Sequence, residues 1–173
     1  MYAKELKIPQ EATVAVDNKK VKVSGEKGSL EKSFALREIK IEKFENKIKV
    51  SSESERRKVK SLVGTVLAHI RNMITGATKG YTYRLKVVFS HFPVTVKIEG
   101  DKVLIQNFLG ERTPRIAKIS GQAKVEVKGQ DITVTGIDVD DIGLTASSIE
   151  QATRIVGYDR RRFPDGIFLT GKE

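Results

Sequence analysis

The chain has 173 residues, 32 Lys+Arg against 22 Asp+Glu for a formal charge of +10, and no cysteine. Without thiols a disulfide-stapled module and a thiolate zinc site are excluded, and two histidines, His69 and His91, are too few for an imidazole-built metal cluster. At about 100–200 residues per domain the length allows one ordinary domain or two small ones, and with neither an apolar run of the ~20 residues a bilayer span needs nor an apolar signal core in residues 1–7, a cytoplasmic protein with no membrane partner is expected.

In chain order, residues 13–23 alternate apolar and polar positions around Asp17-Asn18-Lys19, a hairpin pattern. Gly25-Glu26-Lys27-Gly28-Ser29 is a basic glycine turn. It lacks the Gly-Lys-Ser/Thr ending of a phosphate-binding loop and precedes an alternating strand, so a second hairpin turn is predicted. Ile39-Lys40-Ile41-Glu42-Lys43 and Ile48-Lys49-Val50 read as further strands. Val59, Leu62, Val63, Val66, Leu67, Ile70, Met73 and Ile74 then fall at helical spacing and predict one buried stripe. Ser52 and Glu55 have capping-box spacing ahead of it, and Gly76 is the expected stop.

Displaced by 82 positions, the chain overlays itself. Residues 13–23 fall on residues 95–105, Gly28 on Gly110 and Ala35 on Ala117. After a two-residue slip, Lys40-Ile41-Glu42 falls on Lys124-Val125-Glu126, and Ile48-Lys49-Val50 on Ile132-Thr133-Val134. The second hairpin turns at Glu99-Gly100-Asp101. The second helix starts behind Asp138, Asp140 and Asp141 with a weaker stripe of Ile142, Ala146, Ile149, Ala152 and Val156. The expected architecture is α+β: two similar tandem domains from an internal duplication, residues 1–82 and 83–173, each a small mainly antiparallel sheet packed on one helix. The second carries a basic tail.

Residues 1–82 hold 18 Lys+Arg and 10 Asp+Glu, against 14 and 12 in the remainder. Interleaved with apolar strand positions, the lysines are expected on solvent faces, while the overall charge still favours a polyanion as partner, since each neutralised phosphate releases counterions. The stretch starting Asp138-Val139-Asp140 has a glycine at the sixth position of a calcium loop but Ile149 at the twelfth, so helix capping is expected there rather than a metal. His69 and His91 have no nucleophile or carboxylate at motif spacing and are expected to be packed or exposed.

Three segments carry binding chemistry. Residues 76–86 join the copies with Lys79, Tyr81, Tyr83, Arg84 and Lys86 around two glycines, a composition suited to a sugar–phosphate surface and equally to an interdomain hinge. Residues 107–115 form a basic turn with Arg112 and Arg115 that could lie on the same face as the tail. In residues 154–167, Val156-Gly157 reads as the helix exit. Arg154, Tyr158, Arg160, Arg161, Arg162 and Phe163 then stand on an extended segment, where guanidinium forks suit phosphates and aromatic rings suit bases; a solvated tail is the alternative.

The duplicated unit, the junction Gly76-Ala77-Thr78-Lys79-Gly80-Tyr81, the segment Asp159-Arg160-Arg161-Arg162-Phe163-Pro164-Asp165-Gly166-Ile167, the opening Leu6-Lys7-Ile8-Pro9 and Asn107-Phe108-Leu109-Gly110-Glu111 together resemble the family of the sixth protein of the large ribosomal subunit, in its archaeal–eukaryotic branch. The resemblance spans nearly the whole chain. It implies a non-enzymatic, cofactor-free constituent of the large subunit, held on rRNA near the base of the factor-binding stalk and the sarcin–ricin region. Neighbouring ribosomal proteins and transient translational GTPases would lie close by. It also implies rRNA contacts by Arg160, Arg161, Arg162 and Phe163 and, at the junction, by Lys79 and Tyr81. The Tyr-Lys-Gly-Lys-Gly type of tail of the bacterial branch is missing, and Ala77 stands where valine is commoner. A protein-interaction scaffold using its sheet faces is the rival reading. An enzyme acting on nucleic acid would need Asp138, Asp140 and Asp141 in a basic cleft.

Overall fold

The computed structural model describes residues 2–17, 20–34, 38–44, 46–54 and 56–173. It divides into two compact units, Met1–Gly80 and Tyr81–Glu173. The strand that opens the second unit runs across the boundary expected after Thr82.

The first unit contains strands β1 (Tyr2–Lys7), β2 (Thr13–Asp17), β3 (Lys20–Gly25), β4 (Gly28–Ser33), β5 (Lys40–Phe44) and β6 (Lys47–Ser52), followed by helix α1 (Arg57–Thr78). They form two antiparallel three-stranded sheets, ordered β1-β6-β5 and β2-β3-β4. The period-2 alternation sends Val14, Val21, Val23, Ile48 and Val50 inward, where they meet Val63, Val66, Ile70, Met73 and Ala77 of α1. Each of the larger of these side chains contributes about 1.5–3 kcal/mol by leaving water. The stripe is what holds α1 in place, because its N-terminus is poorly stabilised locally. Arg56, at the N-cap, makes no side-chain capping bond, and the first turn is without acidic residues. Arg57, Lys58 and Lys60 instead face the positive end of the helix dipole.

The helix ends differ from the sequence expectation. Ser52 closes β6 and is buried; its hydroxyl accepts from the Ser54 amide at 3.3 Å rather than capping the helix. Its expected partner Glu55 lies outside the described residues, as do Asn18 and Lys19 of the first hairpin turn and Ala35 of the repeat. Gly76 is a buried position within the last turn of α1. The stop is Gly80, whose φ of +77° is left-handed and whose N–H donates to the Gly76 carbonyl at 3.1 Å. Turning the chain at 80 rather than 76 lets Ala77 reach the core. It also lets the Ala77 carbonyl accept from the Lys27 amide at 2.9 Å, which fastens the β3–β4 turn to the helix. Gly25 makes that approach possible: a β-carbon there would lie 2.5 Å from the Ala77 carbonyl oxygen.

The second unit repeats this plan with β7 (Tyr81–Val88), β8 (Thr95–Glu99), β9 (Lys102–Gln106), β10 (Arg115–Lys118), β11 (Lys124–Lys128), β12 (Asp131–Gly136) and α2 (Val139–Ala152). Its sheet β10-β9-β8 corresponds to β4-β3-β2, and β11-β12-β7 to β5-β6-β1. The fold is therefore the α+β architecture of two duplicated units that the internal repeat predicts. Asp138 caps α2 by accepting from the Asp140 amide at 3.0 Å, with Asp140 and Asp141 in the first turn. Ile142, Ala146 and Ile149 are buried against Leu85, Val87, Val103, Ile105, Ile132 and Val134.

Two expectations about the end of α2 are corrected. The helix finishes at Ala152, so Val156 is not part of its stripe and is 78% exposed, and Val156-Gly157 is not the helix exit. Nor is the arginine-rich segment a free tail. After it the chain returns as β13 (Gly166–Lys172), antiparallel to β7, giving the four-stranded order β11-β12-β7-β13. Burial of Ile167 against the core drives this return.

The close approach at position 25 yields a stability test. Gly25→Ala is expected to destabilise the protein by about 1–3 kcal/mol through forced displacement of α1. Gly64→Ala, in the middle of α1 where, among the described residues, no atom beyond its own stretch of helix backbone and its chain neighbours lies within 4 Å of the added methyl, is expected to stabilise it by about 0.5–1 kcal/mol. Urea unfolding of the two variants against the parent measures both signs.

Candidate nucleic-acid interface

Three segments of the second unit converge. They are the loop after β7 containing Ser90-His91-Phe92-Pro93, the turn after β9, and the loop between α2 and β13. The turn at Phe108–Gly110 is of 3-10 type, and Asn107 and Leu109 have φ of +58° and +51°. A leucine in the left-handed region costs about 1–2 kcal/mol. That cost is balanced locally. Phe108 is fully buried, the Asn107 side-chain amide donates to the Pro93 carbonyl at 3.0 Å, and the Phe92 ring packs against Gly110.

Arg115, the first residue of β10, ties this turn to the end of α2. Its Nε and one Nη donate to the two carboxylate oxygens of Glu111, at 2.9 and 2.6 Å. The other Nη donates to the carbonyls of Ala152 and Arg154, at 3.0 Å each. The guanidinium carbon stands 4.5 Å from the Phe108 ring centroid. The Arg115 hydrogen bonds hold the Glu111 carboxyl below its usual value against an opposing effect of burial, and those same bonds raise Arg115. With a side chain only 24% exposed and most of its donors spent internally, Arg115 is a positioning residue for the neighbouring loop.

The loop itself is clipped at its base by Thr153. This buried hydroxyl accepts from the Ile167 amide at 3.0 Å and donates to the Glu150 carbonyl at 3.0 Å. Further out, Asp159 organises a single turn. Its carboxylate accepts from the Arg161 amide at 2.9 Å, and its carbonyl accepts from the amides of Arg162 and Phe163 at 3.0 Å. Arg160, Arg161 and Arg162 are consequently presented in succession, all exposed. The Phe163 ring lies 5.1 Å from His91 and 5.1 Å from Tyr158, edge-on to the latter. Arg112 and Arg154 are exposed on adjoining segments. Among the described residues, Arg112, Arg154, Arg160, Arg161 and Arg162 make no ion pair with a carboxylate.

The remaining sequence candidates are distributed elsewhere. Arg84 alternates with the core-facing Leu85 on β7 and pairs with Glu173 at 2.9 Å on the surface. The Tyr81 ring packs against the second core and is only partly exposed, and Lys79 is exposed at the C-terminus of α1 in the first unit. Two residues outside the sequence candidates also belong to the site. His91 joins the aromatic cluster, for which the one signal is an aromatic-flanked loop, Ser90-His91-Phe92-Pro93. Asp165 lies 1% exposed in the lining of a cleft of about 680 Å³, with neither carboxylate oxygen hydrogen-bonded among the described residues. Among the described residues no group of three or more His, Asp or Glu gathers to hold a metal, and no helix is long and apolar enough to cross a membrane.

Exposed guanidinium groups beside aromatic rings on a clipped loop, built onto a twice-repeated α+β unit, form a surface whose chemistry suits a polyanion with planar bases. Comparison with known sequences gives the family. The model of the family described as Ribosomal protein L6 matches residues 8–80 and again residues 92–166. The chain is 47% identical over 169 residues to a protein of Methanobrevibacter smithii named Large ribosomal subunit protein uL6, covering 98% of this chain and 95% of that one. Proteins with the same name in Sulfurisphaera tokodaii and Methanosarcina mazei are 49% and 42% identical over 170 residues, with 98% of this chain covered in each case and 91% and 97% of theirs. The chain belongs to the ribosomal protein L6 family.

The Arg115 fork is testable without a ligand. Arg115→Ala is expected to cost about 2 kcal/mol, and Arg115→Lys nearly as much, because an ammonium cannot span a carboxylate and two carbonyls together. Glu111 titrates lower in the folded than in the unfolded protein. Its stabilisation is therefore complete above its unfolded value and disappears as pH falls through its folded one. Chemical unfolding from pH ~6 down to pH ~3 should show a steeper loss of stability for the parent than for Glu111→Gln.

Proposed function

We propose that this protein is a structural constituent of the large ribosomal subunit that binds rRNA, at the base of the factor-binding stalk and near the sarcin–ricin region, and supports translation without chemistry of its own. The observation that carries this reading is the loop between α2 and β13. Among the described residues it sets Arg154, Arg160, Arg161 and Arg162 free of ion pairs beside Tyr158, Phe163 and His91. Phosphate neutralisation supplies the affinity, and the folded shape of the RNA sets the register.

In this reading Arg112 extends the loop's cationic surface, and Lys79, Tyr81 and Arg84 are subsidiary contacts at the junction and on β7. Arg115 orients the loop from beneath. Membership of the L6 family and the uL6 name of its relatives support placement in the cytoplasmic large subunit. Other ribosomal proteins would be permanent neighbours there, and translational GTPases transient ones.

Binding to large-subunit rRNA over a range of salt concentrations tests the proposal. Affinity should fall steeply with salt. Changing Arg160, Arg161 and Arg162 together to Ala should lower the log–log slope by about two to three, since each phosphate that is no longer neutralised takes roughly 0.7–0.9 from it. An unchanged slope would remove the loop from the interface.

A further inference from the structure

We propose that the cleft beneath the arginine loop receives one unstacked guanine of the RNA, with the Asp165 carboxylate accepting hydrogen bonds from guanine N1–H and the N2 amine. This rests on the RNA-binding reading above and adds the identity of a base.

Asp165 is 1% exposed, and among the described residues neither of its oxygens has a hydrogen-bond partner. A buried, unpaired carboxylate is among the costlier arrangements a fold can hold, and such groups persist where a ligand completes them. Asp165 is fixed by its surroundings. It immediately precedes β13, one residue before the strand register Gly166–Val88 begins and two before Ile167 is clipped to Thr153.

The lining of the cleft indicates what would complete it. Arg154 and Arg160, both exposed, line the cleft together with Phe163 and Phe168, the latter 46% exposed. Glu150 is the only other carboxylate in the lining. A cationic side chain of a neighbouring protein would have to pass two guanidinium groups to reach Asp165. A nucleotide matches the whole set: phosphate for the arginines, a planar ring for the phenylalanines, and hydrogen-bond donors for the acid. Carboxylates only accept, and they accept through two oxygens. Among the four bases guanine alone presents two adjacent donors, N1–H and the N2 amine, on its Watson–Crick edge, so it alone satisfies both oxygens in one plane. Side chains lining the cleft, the exposed Arg160 among them, must shift for a base to reach the acid, since both Asp165 oxygens are closed to solvent as the cleft stands.

The test combines a protein and an RNA substitution. Large-subunit rRNA bound to the parent protein is treated with kethoxal, which modifies guanine at N1 and N2; one guanine should be protected by the parent. With Asp165→Asn, which places a donor where an acceptor was, that guanine should become about tenfold more reactive while the rest of the footprint stays. Replacing it by inosine, which lacks the N2 amine, should weaken parent binding about tenfold and leave Asp165→Asn binding unaffected. The free Asp165→Asn protein should melt at or above the parent temperature, since the buried carboxyl has no hydrogen bond to lose among the described residues.

A bound footprint with no guanine dependent on Asp165, or equal inosine losses for both proteins, overturns this proposal and leaves the proposed function standing. So does a variant that melts well below the parent, which would make Asp165 a structural acceptor, or carbodiimide cross-linking of Asp165 to a protein lysine in assembled subunits. Absence of any RNA binding by the parent overturns both.

Discussion

One guanidinium holds the turn and the arginine-rich loop of the second unit together. Arg115 engages Glu111 on its own turn and the carbonyls of Ala152 and Arg154 where α2 ends, so a strained turn and a long loop are fixed to one another through a single planar group. The geometry is specific to arginine. Only a rigid fork of donors reaches a carboxylate on one side and two main-chain carbonyls on another. The carbonyls it takes are otherwise orphaned at a helix C-terminus, where positive charge is also favoured by the dipole. Phe108 beneath the fork makes the arrangement continuous with the core.

Charge is used differently in the two units. The first has the larger excess of cations, yet several of its lysines face acids across the surface. Lys20 pairs with Glu31, Lys47 with Glu5 and Lys40 with Glu53, all at exposed positions where such pairs add little stability. They moderate the field of that unit. In the second unit the excess is small, but its arginines are concentrated on one loop and, among the described residues, form no ion pairs there. Local density of unpaired guanidinium groups matters more to a phosphate backbone than the sum over the chain.

Duplication explains the scaffold, and the departure from it explains the site. Strands β5, β6 and β1 recur as β11, β12 and β7, but β7 gains a second neighbour in β13. That strand converts what would be a trailing end into a loop clamped at both ends by Thr153 and the β7 ladder. Clamping matters because a free arginine-rich segment would lose much of its binding free energy on ordering.

Periodicity makes the scaffold legible: strands with inward valines and isoleucines, two amphipathic helices and the 82-residue overlay all follow from local alternation and helical spacing, as does the Asp138 cap. The helix stops at Gly80 and Ala152 are not legible in the same way, because Gly76 and the stretch beyond Ala152 look equally permissive locally and the choice is made by what packs against the core. The role of Arg115 is equally hidden, since Ala152 and Arg154 are remote in the chain and a guanidinium turned inward reads the same in sequence as one turned outward. So is the position of Asp165, one residue ahead of a strand that exists only because β7 offers it an open edge. Sequence by itself determined the repeated unit, its apolar faces and the presence of clustered arginines, since these depend on residue order over a few turns. Tertiary structure alone decided which cations are turned inward and which acid is left unpaired, because both depend on contacts between residues far apart in the chain.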